Sequence, residues 1–375
     1  MKIAVVYLGH KGAGPIFTLS LSKSLSEFAD VKCFLSKNIT NHNEWIEQDL
    51  KAVFFEIPHS FKRFFSSVTL KSINKILEEL DNFKPDVVIF TMIHPLNFVL
   101  QRSLKKRNYK ILSFVHDPVP HEGEKLWVRL IQKWELKYPD FFFTLSNFSK
   151  HQLSKLTKKP IGYYLHPVMS DTSPPEIPSE VNLEILRNKF VFLYVGRIEP
   201  YKGLEKLVDA FLNLSKDNDY KDRIYLIIAG AGDLSKTTRD KLRKLQNSHS
   251  ACFINRFLKD AEITGLIKLS HMVVLPYLSA TQSGILSTVY YHKKPAIVTS
   301  VGGLIEQSFY GTGSLIVTPD SDSLRESMKF ILSNEKIYSL LLEEIDKIYY
   351  KLPTWSTLAK KLIEFIIQNI KSVNE

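Results

Sequence analysis

Residues Phe190 to Phe211 read FVFLYVGRIEPYKGLEKLVDAF. Phe190 to Val195 form an apolar run of β-branched and aromatic residues, the composition of a buried parallel strand. Gly196 ends the strand, and a short polar turn, Arg197 to Tyr201, follows. Gly203 then opens a helix with Leu204, Leu207, Val208 and Phe211 at i, i+3, i+4 and i+7, one face of a 3.6-residue period. In open α/β sheets ligands bind at the carboxyl ends of strands, where this turn lies. It carries two cations, Arg197 and Lys202, beside a helix amino end, which favours anions. The residues alone fit a phosphate or diphosphate site and fit equally well a βα turn with two solvated cations.

The string YVGRIEPYKGLEKLVDAF resembles the GR…KG signature of family-4 glycosyltransferases. In that family the Arg and Lys clamp the diphosphate of a nucleotide-sugar donor, a role the resemblance assigns to Arg197 and Lys202. A second stretch agrees. Met272 to Glu306, MVVLPYLSATQSGILSTVYYHKKPAIVTSVGGLIE, reads as strand, loop, helix, strand and glycine turn. Ser283 and Gly284 at the helix start offer backbone N–H groups to a phosphate, and Gly302-Gly303 can do likewise. The stretch resembles the family's E-x7-E region and the GG-x-x-E turn after it, matched by Gly302, Gly303 and Glu306. The acidic pair is not matched. Aligned on Gly284, its positions hold Thr281 and Val289. The loop Thr281-Gln282-Ser283-Gly284 resembles a TQSG subset of the family. How the ribose is held is then open, since Val289 accepts no hydrogen bond.

Further contacts follow from the resemblance alone. Arg256, Phe257 and Leu258 match a segment whose backbone contacts the nucleotide base. Gly12 and Gly14 belong to a loop facing an interdomain cleft, and Gly196 and Gly230 end donor-side strands. The VHDP at Val115 to Pro118 resembles the family's HD segment, which puts His116 near the donor sugar. His121 and Glu122, in the loop just after, are within reach of an acceptor.

At 375 residues the chain is long enough for about two domains. With 44% hydrophobic and 24% charged residues it has an ordinary globular composition. Its apolar runs fall short of a membrane span, and its first residues read as a strand rather than a leader. Cys33 and Cys252 make neither a disulfide framework nor a metal spacing, which fits a cytoplasmic protein without a metal site. The formal charge of +11 is uneven: 24 Lys and Arg against 15 Asp and Glu through Pro167, hence +9, and 26 against 24 beyond it, hence +2. A basic first half suits an anionic partner, either a phosphorylated substrate or an anionic membrane surface. Signatures of nucleic-acid binding are absent from the sequence. The segment His59 to Ile76, with Phe and Leu among Lys62, Arg63, Lys71 and Lys75, reads as a surface helix packed on the core or as a membrane-facing segment.

Strands are expected at Lys2–Leu8, Val31–Leu35, Ala52–Ile57, Asp86–Thr91, Ile111–Val115 and Phe141–Leu145. In the second half they are expected at Phe190–Gly196, Arg223–Ala229, Ala251–Asn255, Met272–Pro276, Ala296–Ser300 and Ser314–Thr318. A helix with Phe17, Leu21, Leu25 and Phe28 on one face follows the first strand. The alternation gives two doubly wound α/β domains. Residues 1–168 form the first, 169–185 a linker rich in Pro, Ser, Asp and Glu, and 186–353 the nucleotide-sugar domain. By resemblance this is a GT-B fold of two Rossmann-like domains facing a cleft, with the closing helix, 354–375, crossing back to the first. The activity it implies is metal-independent, retaining transfer of a sugar from a nucleotide-diphosphate donor, UDP or GDP type, to a hydroxyl of a glycan or lipid-linked acceptor, without a further cofactor. Cell-surface polysaccharide synthesis is the expected setting. Loss of the acidic pair leaves one alternative, a non-catalytic nucleotide-sugar-binding or scaffold protein. A dehydrogenase would need a G-x-G-x-x-G with a following ribose-binding acid, and neither is present.

Overall fold

The computed structural model describes residues 1–58, 66–119, 126–169 and 174–374. The chain divides into two compact units, Met1–Leu165 with Pro353–Glu375, and His166–Leu352. The segment from His59 to Phe65, together with His121, Glu122 and residues 170–173, lies outside the described residues.

The first unit has strands β1 (Lys2–Tyr7), β2 (Asp30–Ser36), β3 (Lys51–Phe55), β4 (Val87–Phe90), β5 (Ile111–Phe114), β6 (Phe141–Thr144) and β7 (Ile161–Tyr163). Its described helices are α1 (Gly14–Ser26), α2 (His42–Glu47), α3 (Ser67–Phe83), α4 (Asn97–Lys106), α5 (Leu126–Glu135) and α6 (Asn147–Ser154). The sheet order is β3-β2-β1-β4-β5-β6-β7, with every pairing parallel. Strand alternation divides its core in two. Ile3 and Val5 face Phe17, Leu21 and Leu25 of α1, while Ala4 and Val6 face Ile73, Ile76, Leu77 and Leu80 of α3. In the described part of the His59 to Ile76 segment Ile73 and Ile76 pack on the core, while Val68 and Leu70 are exposed. Phe28 departs from expectation. α1 ends at Ser26, and Phe28 is 42% exposed under the Lys360 ammonium. The edge strand β7 is too short, at three residues, to show a sequence period.

The second unit has strands β8 (Phe190–Val195), β9 (Ile224–Ala229), β10 (Ala251–Ile254), β11 (Met272–Leu275), β12 (Ala296–Thr299) and β13 (Ser314–Val317). Its helices are α7 (Leu204–Leu214), α8 (Lys236–Asn247), α9 (Asp260–Leu269), α10 (Gly284–Tyr291), α11 (Leu304–Gln307), α12 (Ser321–Ser333) and α13 (Glu335–Tyr349). The order is β10-β9-β8-β11-β12-β13, again parallel. The closing helix, α14 (Trp355–Asn374), belongs to the first unit, where Leu358, Leu362 and Ile366 join the α1 side of the core.

Each sheet reverses its winding once, at β1/β4 and at β8/β11. At such a point the loops leaving two neighbouring strands diverge to opposite faces and open a crevice at the carboxyl end. The loops after β1 and β4 and after β8 and β11 carry part of each candidate cluster below; His116 follows β5, and Gly302, Gly303 and Glu306 follow β12. Among the described residues no helix is long and apolar enough to cross a membrane.

Candidate active site

In the second unit the β8 loop carries Arg197 and, after a 3-10 turn at Pro200–Lys202, Gly203. That turn overlaps the expected polar turn, Arg197 to Tyr201, at Pro200 and Tyr201. Gly203 adopts φ +64°, and a Cβ there would stand 1.9 Å from the Pro276 carbonyl oxygen. The Leu278 N–H donates to the Tyr201 carbonyl at 2.8 Å, so the loops after β8 and β11 are bound backbone to backbone. Gly230 is the second close approach, at φ +152°, where a Cβ would meet the Gly196 carbonyl oxygen at 1.8 Å. Both positions exclude other residues for steric reasons.

The fused loops place Lys202 over Tyr277, with Nζ 3.6 Å from the ring centroid. Tyr277 is 1% exposed, and its hydroxyl lies 3.4 Å from Ser283 Oγ. Ser283 caps α10, its Oγ accepting from the Leu286 N–H. One buried tyrosine thus joins the expected cation to the expected helix start. Arg197 is exposed, with Glu199 3.8 Å away, and its carbonyl accepts from the Tyr194 hydroxyl at 2.7 Å. Burial raises the Tyr194 phenol well above its ordinary pKa, so it stays a neutral donor.

Two backbone expectations change. The Ser283 N–H does not face solvent: it donates to Gln307 Oε1 at 2.7 Å. Gln307 Nε2 returns bonds to the Ser283 carbonyl at 2.6 Å and to Ser287 Oγ at 3.0 Å. The Gly303 N–H is likewise engaged, by the Ala280 carbonyl. The N–H groups left to an anion at this helix start are those of Gly284 and Ile285, in a first turn that has no intrahelical acceptors. Thr281 is buried, Gln282 and Glu306 are half-buried, and Gly302 has φ +49°. Val289 is fully buried in the core. The polar side chain beside it is Thr288, whose hydroxyl donates to the Met169 and Gly284 carbonyls.

The expectation for Arg256, Phe257 and Leu258 concerns their backbone; the Arg256 guanidinium is engaged by acids. It forms paired hydrogen bonds with Glu180 and with Glu262, which hold the Glu262 carboxyl down at about 2. Glu180 and Glu176 lie in the expected linker, and the Glu176 N–H donates to the Ala261 carbonyl. This part of the linker is fastened to the second unit. Phe257 is 75% exposed and Leu258 packs at the core edge.

In the first unit Gly12 and Gly14 border the β1 loop and the start of α1. His116 follows β5. Its Nε2 lies 2.9 Å from the Thr91 carbonyl, which only accepts, so Nε2 carries the proton and Nδ1 is the acceptor. The ring meets Phe17 edge-on at 4.9 Å. Burial lowers its pKa, which keeps the imidazole neutral. Beside it the β4–α4 loop carries His94, and Glu135 of α5 is buried against that loop. Among the described residues no group of three or more His, Cys, Asp or Glu could hold a metal ion.

Tyr277, Gln307 and Glu135 were not readable as site residues. Tyr277 stands directly after a strand, where a core aromatic looks the same. Gln307 lies next to the motif residue Glu306 on a four-residue helix, too short for a period.

The family model described as "Glycosyl transferases group 1" matches residues 179–347. No curated protein matches the chain. Solved structures do. A sucrose-phosphate synthase from Thermosynechococcus elongatus has 16% identity over 99% of both chains, with a TM-score of 0.74. The Anabaena protein Alr3699/HepE, in complex with UDP, has 13% identity over 98% of this chain and 100% of its own, at 0.73. A putative UDP-N-acetylglucosamine 2-epimerase from Listeria monocytogenes has 12% identity over 99% and 97%, at 0.67. The chain therefore has the two-domain Rossmann-like α/β fold of GT-B glycosyltransferases, and the part of it that matches the group 1 glycosyl transferase model is the domain holding Arg197, Lys202 and the α10 start.

Proposed function

We propose that the protein is a retaining glycosyltransferase that moves a sugar from a UDP-type donor to a hydroxyl of a glycan or lipid-linked acceptor, in cell-surface polysaccharide synthesis. The observation that carries this reading is the Lys202–Tyr277–Ser283 chain at the β8/β11 switch point, inside the span matched by the group 1 model. Lys202 and Arg197 neutralise the diphosphate, and the Gly284 and Ile285 N–H groups supplement them at the α10 start. As the anomeric bond breaks, charge builds on the leaving diphosphate, and fixed donors aimed there lower the barrier. Neutral His116 orients the donor sugar. This chemistry calls on no metal. The UDP in the HepE complex supports a uridine nucleotide over GDP.

The setting is the cytoplasmic face of a membrane. The basic first half supports this, as do Leu130 and Trp134, 52% and 46% exposed on α5 beside Arg129 and Lys133. A non-catalytic nucleotide-sugar-binding role is the second reading, favoured by Thr281 and the buried Val289 where the family has acids.

A thermal-shift screen of UDP-, GDP- and ADP-sugars, followed by turnover with the best ligand, tests both. Stabilisation by UDP-sugars with release of UDP is the expected result. Stabilisation without turnover across acceptors would favour the binding protein, and no stabilisation by any nucleotide sugar would overturn both readings.

A further inference from the structure

The outer strands of the two sheets are β3 and β7 in the first unit and β10 and β13 in the second. Their open edges differ. β3 begins with the exposed Lys51, and the Lys150 ammonium stands 5.0 Å from the Tyr163 ring centre on β7. β10 lies beside the linker, with Cys252 Sγ 3.4 Å from the Glu180 carbonyl. Charge and cover are two means by which a sheet edge is kept from pairing with another chain. Among the described residues β13 has neither. Ser314 to Thr318 read SLIVT, without a charge or a proline. The Ala296 and Ser300 N–H groups donate to the Gly313 and Val317 carbonyls. By the alternation of a strand, the Ile316 N–H and carbonyl then point away from β12, to the open edge.

Beside this edge a groove of about 500 Å³ runs against α12, lined by Leu315, Ile316, Val317, Glu326, Ser327 and Phe330 among others. The three β13 side chains are half-buried, and Phe330 is 45% exposed. The acid in the groove, Glu326, is paired with Arg325 at 2.9 Å. Apolar surface and unpaired backbone thus lie side by side.

We propose that β13 and α12 form the contact surface of a homodimer. The β13 strands of two copies pair antiparallel across a two-fold axis, which joins their second-unit sheets, and the two Phe330 rings close the grooves. The occupant is a second copy on grounds of charge. An edge that pairs with itself sets its residues against their own copies, and like charges directly opposite are destabilising. Lys51 and Lys150 count against β3 and β7 on that ground, whereas the SLIVT edge brings no charge to the axis. Its aliphatic and β-branched residues favour a paired strand. A four-residue edge supplies few backbone bonds, so the α12 face must contribute most of the roughly 1,200 Å² that a stable interface buries. Such a contact gives a reversible dimer rather than an obligate one.

Sedimentation equilibrium of the full chain from about 1 to 200 µM reads the association, and the parent should pass from monomer to dimer in that range. Phe330→Lys and Phe330→Glu alter an exposed position. Each should raise the dissociation constant about tenfold or more, because the new charge faces itself across the axis. An equimolar mixture of the two variants should recover the dimer, since the charges then attract. Ile316→Pro removes the outward N–H and spares the pairing with β12, so it should weaken the dimer as well. A parent that stays monomeric throughout would overturn the proposal and leave this edge to an extended segment of a different protein. A dimer that withstands Phe330→Lys and Ile316→Pro would place the contact on another face. A mixture that does not recover would deny that Phe330 faces its own copy. Either result overturns the proposal.

Discussion

The ammonium of Lys202 lies 3.6 Å from the centre of the Tyr277 ring. Tyr277 is buried, so the ring face is desolvated, and a cation held there gains about 2 kcal/mol. The contact fixes where a long, flexible side chain ends, which lowers the entropy lost when it meets a diphosphate. Tyr277→Leu should weaken UDP binding by about tenfold to thirtyfold, and Tyr277→Phe, which keeps the ring, by much less. Calorimetric titration with UDP reads both, and equal losses would place the effect on the hydroxyl and Ser283 instead.

Arg197→Ala and Lys202→Ala should each leave the fold intact and reduce donor use by tenfold or more, since a charge-assisted bond to an anion contributes about 1.5–3 kcal/mol. Steady-state transfer at varied donor concentration measures this. Two variants that turn over donor like the parent would remove the clamp from this turn.

Gln307 holds both backbone groups of Ser283 from a buried position. Gln307→Ala leaves a donor and an acceptor unpaired, each costing about 1–3 kcal/mol. A lower urea midpoint is expected, together with weaker UDP binding as the α10 start loses its anchor. Lost stability with unchanged UDP affinity would make Gln307 structural only.

His116→Ala should cut turnover far more than UDP affinity, the pattern of a contact made mainly in the transition state. The acidic limb of the rate profile gives a second reading. Burial holds the imidazole neutral below its ordinary pKa of 6.5, so the rate should persist as pH falls past that value and drop only further down. A drop centred at 6.5 or above would contradict this.

Glu135 supplies a pH dependence of stability. Its folded pKa, about 8, exceeds the ordinary 4.5, so the folded state binds the extra proton. Its contribution is complete below about 4.5 and declines as pH rises to about 8, above which a buried carboxylate remains. Glu135→Gln carries no such proton. It should equal the parent in melting temperature near pH 5 and exceed it at pH 9. Parallel slopes for the two proteins across that range would refute the assignment.

The sequence by itself determined the fold. Parallel strands buried on both faces are written as short apolar runs, as in Phe190 to Val195, and helices as 3.6-residue faces, as in Leu204 to Phe211. Those local patterns needed no knowledge of neighbours, so twelve of the thirteen strands were legible and only the three-residue β7 was not. Arg197, Lys202 and the Ser283–Gly284 start could be put forward as candidates because they lie in short motifs. The tertiary structure alone decided how these and other polar groups are engaged. The Ser283 N–H belongs to Gln307, the Arg256 guanidinium to Glu180 and Glu262, and the Lys202 ammonium to the Tyr277 face. It also decided that Glu135 is a buried acid wired to the loop beside His116. Each of these is a pairing between residues distant in sequence. Whether a polar group is open or already satisfied depends on what the folded chain brings within about 3 Å of it, and no local pattern records that.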